Sequence, residues 1–238
     1  MPLGPGAAIA DLELGVLYSL AISSIGVYGV LLAGWSANES YAFLGGLRST
    51  SQMISYELVL STCVLAVLIL AGTFNLTLIV EAQTPIWFIV PLAPLFILFV
   101  VSVLAETNRT PFDLPEAESE LVSGFMTEHS SIVFTFFFLG EYSNIVLMSA
   151  LSATLFLGGW GMPMLFINVT PISLSALVLA IKVCIGCFAF VWFRATLPRM
   201  KFDSLLNFCW TGMLPMAIAL VLLVPSIIIA FDVVPYLN

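Results

Sequence analysis

The chain has 238 residues, 61% of them apolar and 8% charged, with 14 acids against 6 bases for a formal net charge of −8. A soluble domain is about 25% charged, and so few charges could not cover a water-facing surface. Composition therefore excludes a soluble globular enzyme and a disordered chain, and the absence of any Lys/Arg cluster excludes a DNA-binding domain. The apolar runs last about 20 residues, the length of a membrane-spanning helix, rather than alternating in segments of roughly ten as in a barrel. The expectation is an all-α integral membrane protein, a single membrane domain over residues 1–238.

Taken in chain order, six spans are predicted: Leu14–Trp35, Ile54–Gly72, Ile86–Ala105, Ser130–Phe156, Ser173–Phe193 and Trp210–Phe231. Asn75–Thr84 reads as a short amphipathic piece, too short to cross. The first ten residues carry no base, so they form neither a transit peptide nor a secretory leader. Arg48 falls between spans one and two, Arg109 between three and four, and Arg194, Arg199 and Lys201 between five and six. The opposite side has no Lys or Arg, so the positive-inside rule turns the basic loops to the cytoplasm or matrix and both termini outward.

Cys63, Cys184, Cys187 and Cys209 lie in or at the ends of spans, and Cys184-Ile-Gly-Cys187 reads as small apolar packing rather than a redox or metal motif. There is no Gly-rich phosphate loop, no metal-ligand constellation and no internal repeat of the kind that marks inverted-repeat transporters. Arg194, Arg199 and Lys201 read first as orientation markers, and His129 as a polar cap at a span boundary.

The acids are distributed unevenly. The segment between spans three and four, ETNRTPFDLPEAESELVSGFMTE, carries Glu106, Asp113, Glu116, Glu118, Glu120 and Glu128 with Arg109 as its sole base. Leu114, Leu121, Val122 and Phe125 are interleaved with the acids, and Pro111 and Pro115 fix its path, so part of it can pack. Clustered carboxylates perturb one another's titration, which a merely solubilising loop does not need. Further acids enter the spans: Glu57 in span two and Glu141 in span four, with Lys182 the one base inside a span. An ionisable group at mid-bilayer costs about 2.5–3.5 kcal/mol even on mild insertion scales. Such groups should face a polar interior, either as a structural Glu–Lys ion pair or as stations on a lateral proton path.

The segment AETNRTPFDLPEAESELVSGF at Ala105–Phe125 resembles the signature loop of the chain 1 family of mitochondrial NADH–ubiquinone oxidoreductase (respiratory complex I), a family with bacterial members. The segments LRSTSQMISYEL, IVEAQ, FLGEYSNIVLMS, LFLGGW and WFRATLPRMKFDSLL carry the same likeness, which runs from about Leu14 to Phe231. The resemblance implies a core membrane subunit at the heel of a proton-pumping enzyme, lining the ubiquinone tunnel and starting a carboxylate relay. Residues 106–129 would be a matrix-side loop lining the quinone cavity. Glu57, Glu106, Asp113, Glu116, Glu118, Glu120, Glu128 and Glu141 match the family's acidic positions, and Lys182 its intramembrane lysine. Arg48, Arg109, Phe125, Arg194, Arg199 and Asp203 match positions at the quinone tunnel and the interface with the peripheral arm.

The resemblance further implies no metal and no cofactor bound by this chain, with ubiquinone as substrate and with NADH, FMN and iron–sulfur clusters handled by partner subunits. The expected location is the mitochondrial inner membrane, among other complex I subunits and membrane lipids, with no nucleic acid. Two departures stand out. His129 replaces the family's usual tyrosine, and the family's first two spans have no counterpart here, from which a split subunit with its front on another polypeptide is expected. The alternatives are the heel subunit of a membrane-bound hydrogenase and a passive scaffold that anchors a peripheral arm.

Overall fold

The computed structural model describes residues 1–8, 10–113, 124–126, 129–162 and 175–230, and among these every regular element is helical. Helix α1 runs Gly15–Ser36, α2 Ser40–Ala71, α3 Leu76–Ala82 and α4 Ala93–Glu106. A single 3-10 turn, Gly124–Met126, precedes α5 (Ser131–Phe156) and α6 (Ser175–Thr196). The last stretch is one continuous rod: α7 (Phe202–Asn207), a π-helical turn Phe208–Met213, and α8 (Leu214–Ala230). Among the described residues, five helical segments are long and apolar enough to cross a membrane, and Ala93–Glu106 is a shorter apolar helix.

The expected spans and the observed helices differ in ways that have physical causes. Helix α2 begins at Ser40, well before the predicted Ile54, so Arg48 lies on a helix rather than in a loop. Residues 48–52 are polar and read as loop, yet Ser49, Thr50 and Gln52 are buried. Their polar groups are satisfied inside the fold: Thr50 Oγ1 donates to Gly46 O at 2.7 Å, and Gln52 Nε2 to Ala105 O and Phe112 O, each at 2.9 Å. With its hydrogen bonds met, the helix continues through them. The third span is shorter than expected. Pro91 and Pro94 lack the N–H that a helix interior needs, and Pro94 fits the first turn, where that donor goes unused, so α4 starts only at Ala93 and takes in Glu106 at its end. Its 14 residues rise about 21 Å. Helix α3 matches the predicted short piece, with Asn75 capping it by accepting from Thr77 N at 2.8 Å.

Helix α2 is the hub. It packs on α1, α4 and α8, and its Tyr56, Leu60 and Cys63 lie in one core with Leu95, Phe99, Phe156, Leu205 and Met213. Helices α1 and α2 close on each other through Gly34 and Gly46. A Cβ on Gly34 would sit 2.8 Å from Ala42 O and 3.2 Å from Gly46 Cα, so only glycine permits this approach. Helix α6 packs mainly on α5, where Cys187 Sγ meets Ser149 Oγ at 3.5 Å.

Candidate functional site: a cavity lined by carboxylates

Between α1 and α5 lies a cavity of about 460 Å³. One wall is the face of α1 bearing Ser19, Ser23, Gly26 and Val30, spaced three or four apart and hence on one side of the helix. The opposite wall is the face of α5 bearing Phe137, Gly140, Glu141 and Asn144. Met53 of α2, the end of α4 with Glu106, Asp113 beyond it, and Phe125 complete the lining. Phe125 stands edge-on to the Phe137 ring, with centroids 5.6 Å apart.

The carboxylates around this space are held differently. Glu106 is 1% exposed, and neither of its carboxylate oxygens has a hydrogen-bond partner among the described residues. Glu57, half-buried on α2, accepts a hydrogen bond from Ser24 Oγ of α1 and acts electrostatically on Glu106. Glu141 meets Arg109 Nε at 3.0 Å, and both side chains are largely buried. The Arg109 guanidinium also lies over the Tyr142 ring, 4.8 Å from its centroid. Asp113, 7% exposed, accepts from Arg199 Nη2 at 2.9 Å.

The stretch of chain that joins these groups is pinned from α2. Gln52 Nε2 bonds the carbonyls of Ala105 and Phe112, on either side of the turn. Asn108, with φ 49, donates from Nδ2 to Ser49 Oγ at 3.2 Å. Met200 N donates to Pro111 O at 3.1 Å, tying the turn to the segment that carries Arg199. One buried glutamine thus fixes how Glu106 and Asp113 present themselves to the cavity.

The expected site residues fall into four groups. Glu106, Asp113, Glu141 and Phe125 line the cavity, with Glu57, Arg109 and Arg199 beside them. Arg48 is half-buried with its guanidinium 5.7 Å from the Phe202 ring centroid, whereas Arg194 and Asp203 are exposed near the ends of α6 and α7. Lys182 is not among the cavity residues. Its Nζ donates to Leu157 O, Gly159 O and Gly161 O at 2.6, 2.8 and 2.6 Å and lies 4.5 Å from the Trp87 ring centroid. The buried partner of Glu141 is therefore Arg109, from the signature segment, and not the intramembrane lysine of the ion-pair alternative. Glu116, Glu118, Glu120 and Glu128 lie outside the described residues.

Sequence reasoning passed over Ser24, Gln52 and the α1 wall. The signal was present in each case: Ser19, Ser23 and Gly26 recur at helical spacing inside an apolar span, and Gln52 sits five residues before Glu57 on the same helix. Chemically, a space of this size bordered by several convergent carboxyls has room for water bridging them.

Comparison with known proteins matches residues 1–225 to the family model described as NADH dehydrogenase. The chain is 66% identical over 238 residues to NADH-ubiquinone oxidoreductase chain 1 of Mycosarcoma maydis, an alignment covering 99% of this chain and 72% of that one. It is 49% identical over 237 residues to a subunit of the NADH-quinone oxidoreductase of Rhodospirillum centenum, covering 99% and 70%. Against NADH-ubiquinone oxidoreductase chain 1 of Trichophyton rubrum it is 52% identical over 251 residues, covering 98% and 71%.

Proposed function

Because the chain belongs to the NADH dehydrogenase family and is a core membrane subunit of an NADH–quinone oxidoreductase, we propose that its cavity is the place where quinone reduction is coupled to proton movement. The observation that carries this reading is convergence. Glu106, Asp113 and Glu141, drawn from separate stretches of sequence, line one cavity, and Glu57 acts on Glu106 from the neighbouring helix.

In this reading ubiquinone is reduced at the end of the chain that bears Arg48, Arg109, Arg194, Arg199 and Asp203, with Phe125 part of the tunnel wall. The electrons come from NADH through FMN and iron–sulfur clusters in partner subunits. The change of charge on quinone reduction is felt by the acidic segment, including Glu116, Glu118, Glu120 and Glu128, and passes to Glu106, Glu57 and Glu141. Carboxyls fit this task because one charge event redistributes protons over all of them. Arg109 and Arg199 keep Glu141 and Asp113 supplied with a cation, so these two acids and Glu106, which has no hydrogen-bond partner among the described residues, answer the same event differently. The protein works in the mitochondrial inner membrane with both termini on the outer side, among other subunits of the complex and its lipids.

Glu141→Gln in an assembled complex is the test. The ratio of protons translocated to NADH oxidised should fall while NADH oxidation through quinone continues. An unchanged ratio removes Glu141 from the path, and a defect in assembly alone favours the scaffold reading.

A further inference from the structure

Three carbonyl oxygens, from Leu157, Gly159 and Gly161, converge on the Nζ of Lys182 at 2.6, 2.8 and 2.6 Å, and the Trp87 ring closes a fourth side at 4.5 Å. An ammonium has three N–H donors, and each has a carbonyl. The carbonyls belong to the turn that ends α5, where the last C=O groups of a helix lack partners and carry partial negative charge. The turn is built for this shape. Gly158 and Gly159 take φ values of 70 and 48. A Cβ on Gly158 would lie 2.7 Å from Trp87 Nε1, and one on Gly159 2.6 Å from Val80 Cγ2. Gln83 braces it from α3, accepting from Gly158 N at 2.9 Å and donating to Thr154 O at 2.9 Å.

We propose that this turn is a cation site of the alkylammonium class, filled by Lys182 as a tethered cation, and that Lys182 is thereby a positioning residue that fixes α5, the helix carrying Glu141. Three acceptors around one nitrogen suit the ammonium and commit each of its N–H groups to a backbone carbonyl, which does not take up a proton. The link to Glu141 rests on the coupling role proposed above, whereas the cation site itself does not.

The experiment uses the whole complex carrying Lys182→Ala, with methylammonium chloride as probe and tetramethylammonium chloride, which has no N–H to donate, as control at equal ionic strength. The thermal midpoint of the variant complex should lie below wild type and rise saturably with methylammonium alone, while the wild-type midpoint stays put. Protons translocated per NADH should recover in parallel. A midpoint that ignores methylammonium, or that rises equally in wild type, overturns the proposal. Should Lys182→Ala fail to assemble, acetylation of the wild-type complex by a soluble N-hydroxysuccinimide ester decides: modification of exposed Lys201 with Lys182 spared is expected, and equal modification of the two contradicts the cage. Because the midpoints report the site whatever Glu141 does, failure of the coupling role and failure of the cage give different results.

Discussion

Helix α5 meets a charged side chain at two places, and the two are handled in opposite ways. In its first half, Glu141 faces the Arg109 guanidinium at 3.0 Å beside a cavity of about 460 Å³, with Glu106 and Asp113 on the same lining. At its end, the Lys182 ammonium is enclosed by three carbonyls and an aromatic face. Glu141 shares its cavity with other carboxylates, which do titrate, so its charge is sensitive to what its neighbours do. The Lys182 charge is matched by backbone dipoles, and carbonyls do not titrate. An ionisable residue inside a membrane helix is thus not by itself evidence of proton transfer; its partners decide.

The comparison can be broken most severely at the cavity. Arg109→Met removes the cation that faces Glu141, and truncating one member of a buried pair costs about 3–5 kcal/mol. The expected outcome is a large loss of assembled complex on native gels, partly recovered in the double variant Arg109→Met/Glu141→Gln. No recovery would mean that Arg109 acts elsewhere than on Glu141. At the caged end, Gln83→Leu strips the partners of Gly158 N and Thr154 O, worth about 1–3 kcal/mol. Here the thermal midpoint should fall, with a smaller loss of protons per NADH than in Lys182→Ala, because the turn keeps its cation. A midpoint equal to wild type would show that Gln83 does not brace the turn. The smallest effect belongs to the α1–α2 contact at Ser24. Ser24→Ala deletes the hydroxyl that donates to Glu57, a loss of about 1 kcal/mol. The midpoint should barely move while the rate of proton translocation falls modestly, and a rate identical to wild type would show that this hydrogen bond has no part in the role of Glu57.

Much of this molecule is legible in its sequence. The spans at Leu14–Trp35 and Ser130–Phe156 match α1 and α5 within a residue, because each is a predominantly apolar run of spanning length between polar ends. The acids of the signature segment, and Glu141 beyond it, are readable as unusual because charge inside a span is costly. What is not legible depends on contacts distant in sequence. The Ser40 start of α2 follows from Gln52 finding carbonyl partners more than fifty residues away. The cavity follows from small residues on α1 facing α5, two helices that no short-range pattern connects. Lys182 reads the same in sequence whether it pairs with a glutamate or with carbonyls. Only the glycine-bent turn after α5 distinguishes the two.

Glu106 offers the cleanest test of the cavity's role, since its carboxylate is buried and Glu106→Gln breaks no hydrogen bond among the described residues. The measurement is the number of protons translocated per NADH oxidised in proteoliposomes containing the assembled Glu106→Gln complex, beside wild type at matched rates of quinone reduction. A marked drop in that ratio, with quinone reduction retained, is predicted. A ratio equal to wild type would contradict the claim that the carboxylates of this cavity couple quinone reduction to proton movement.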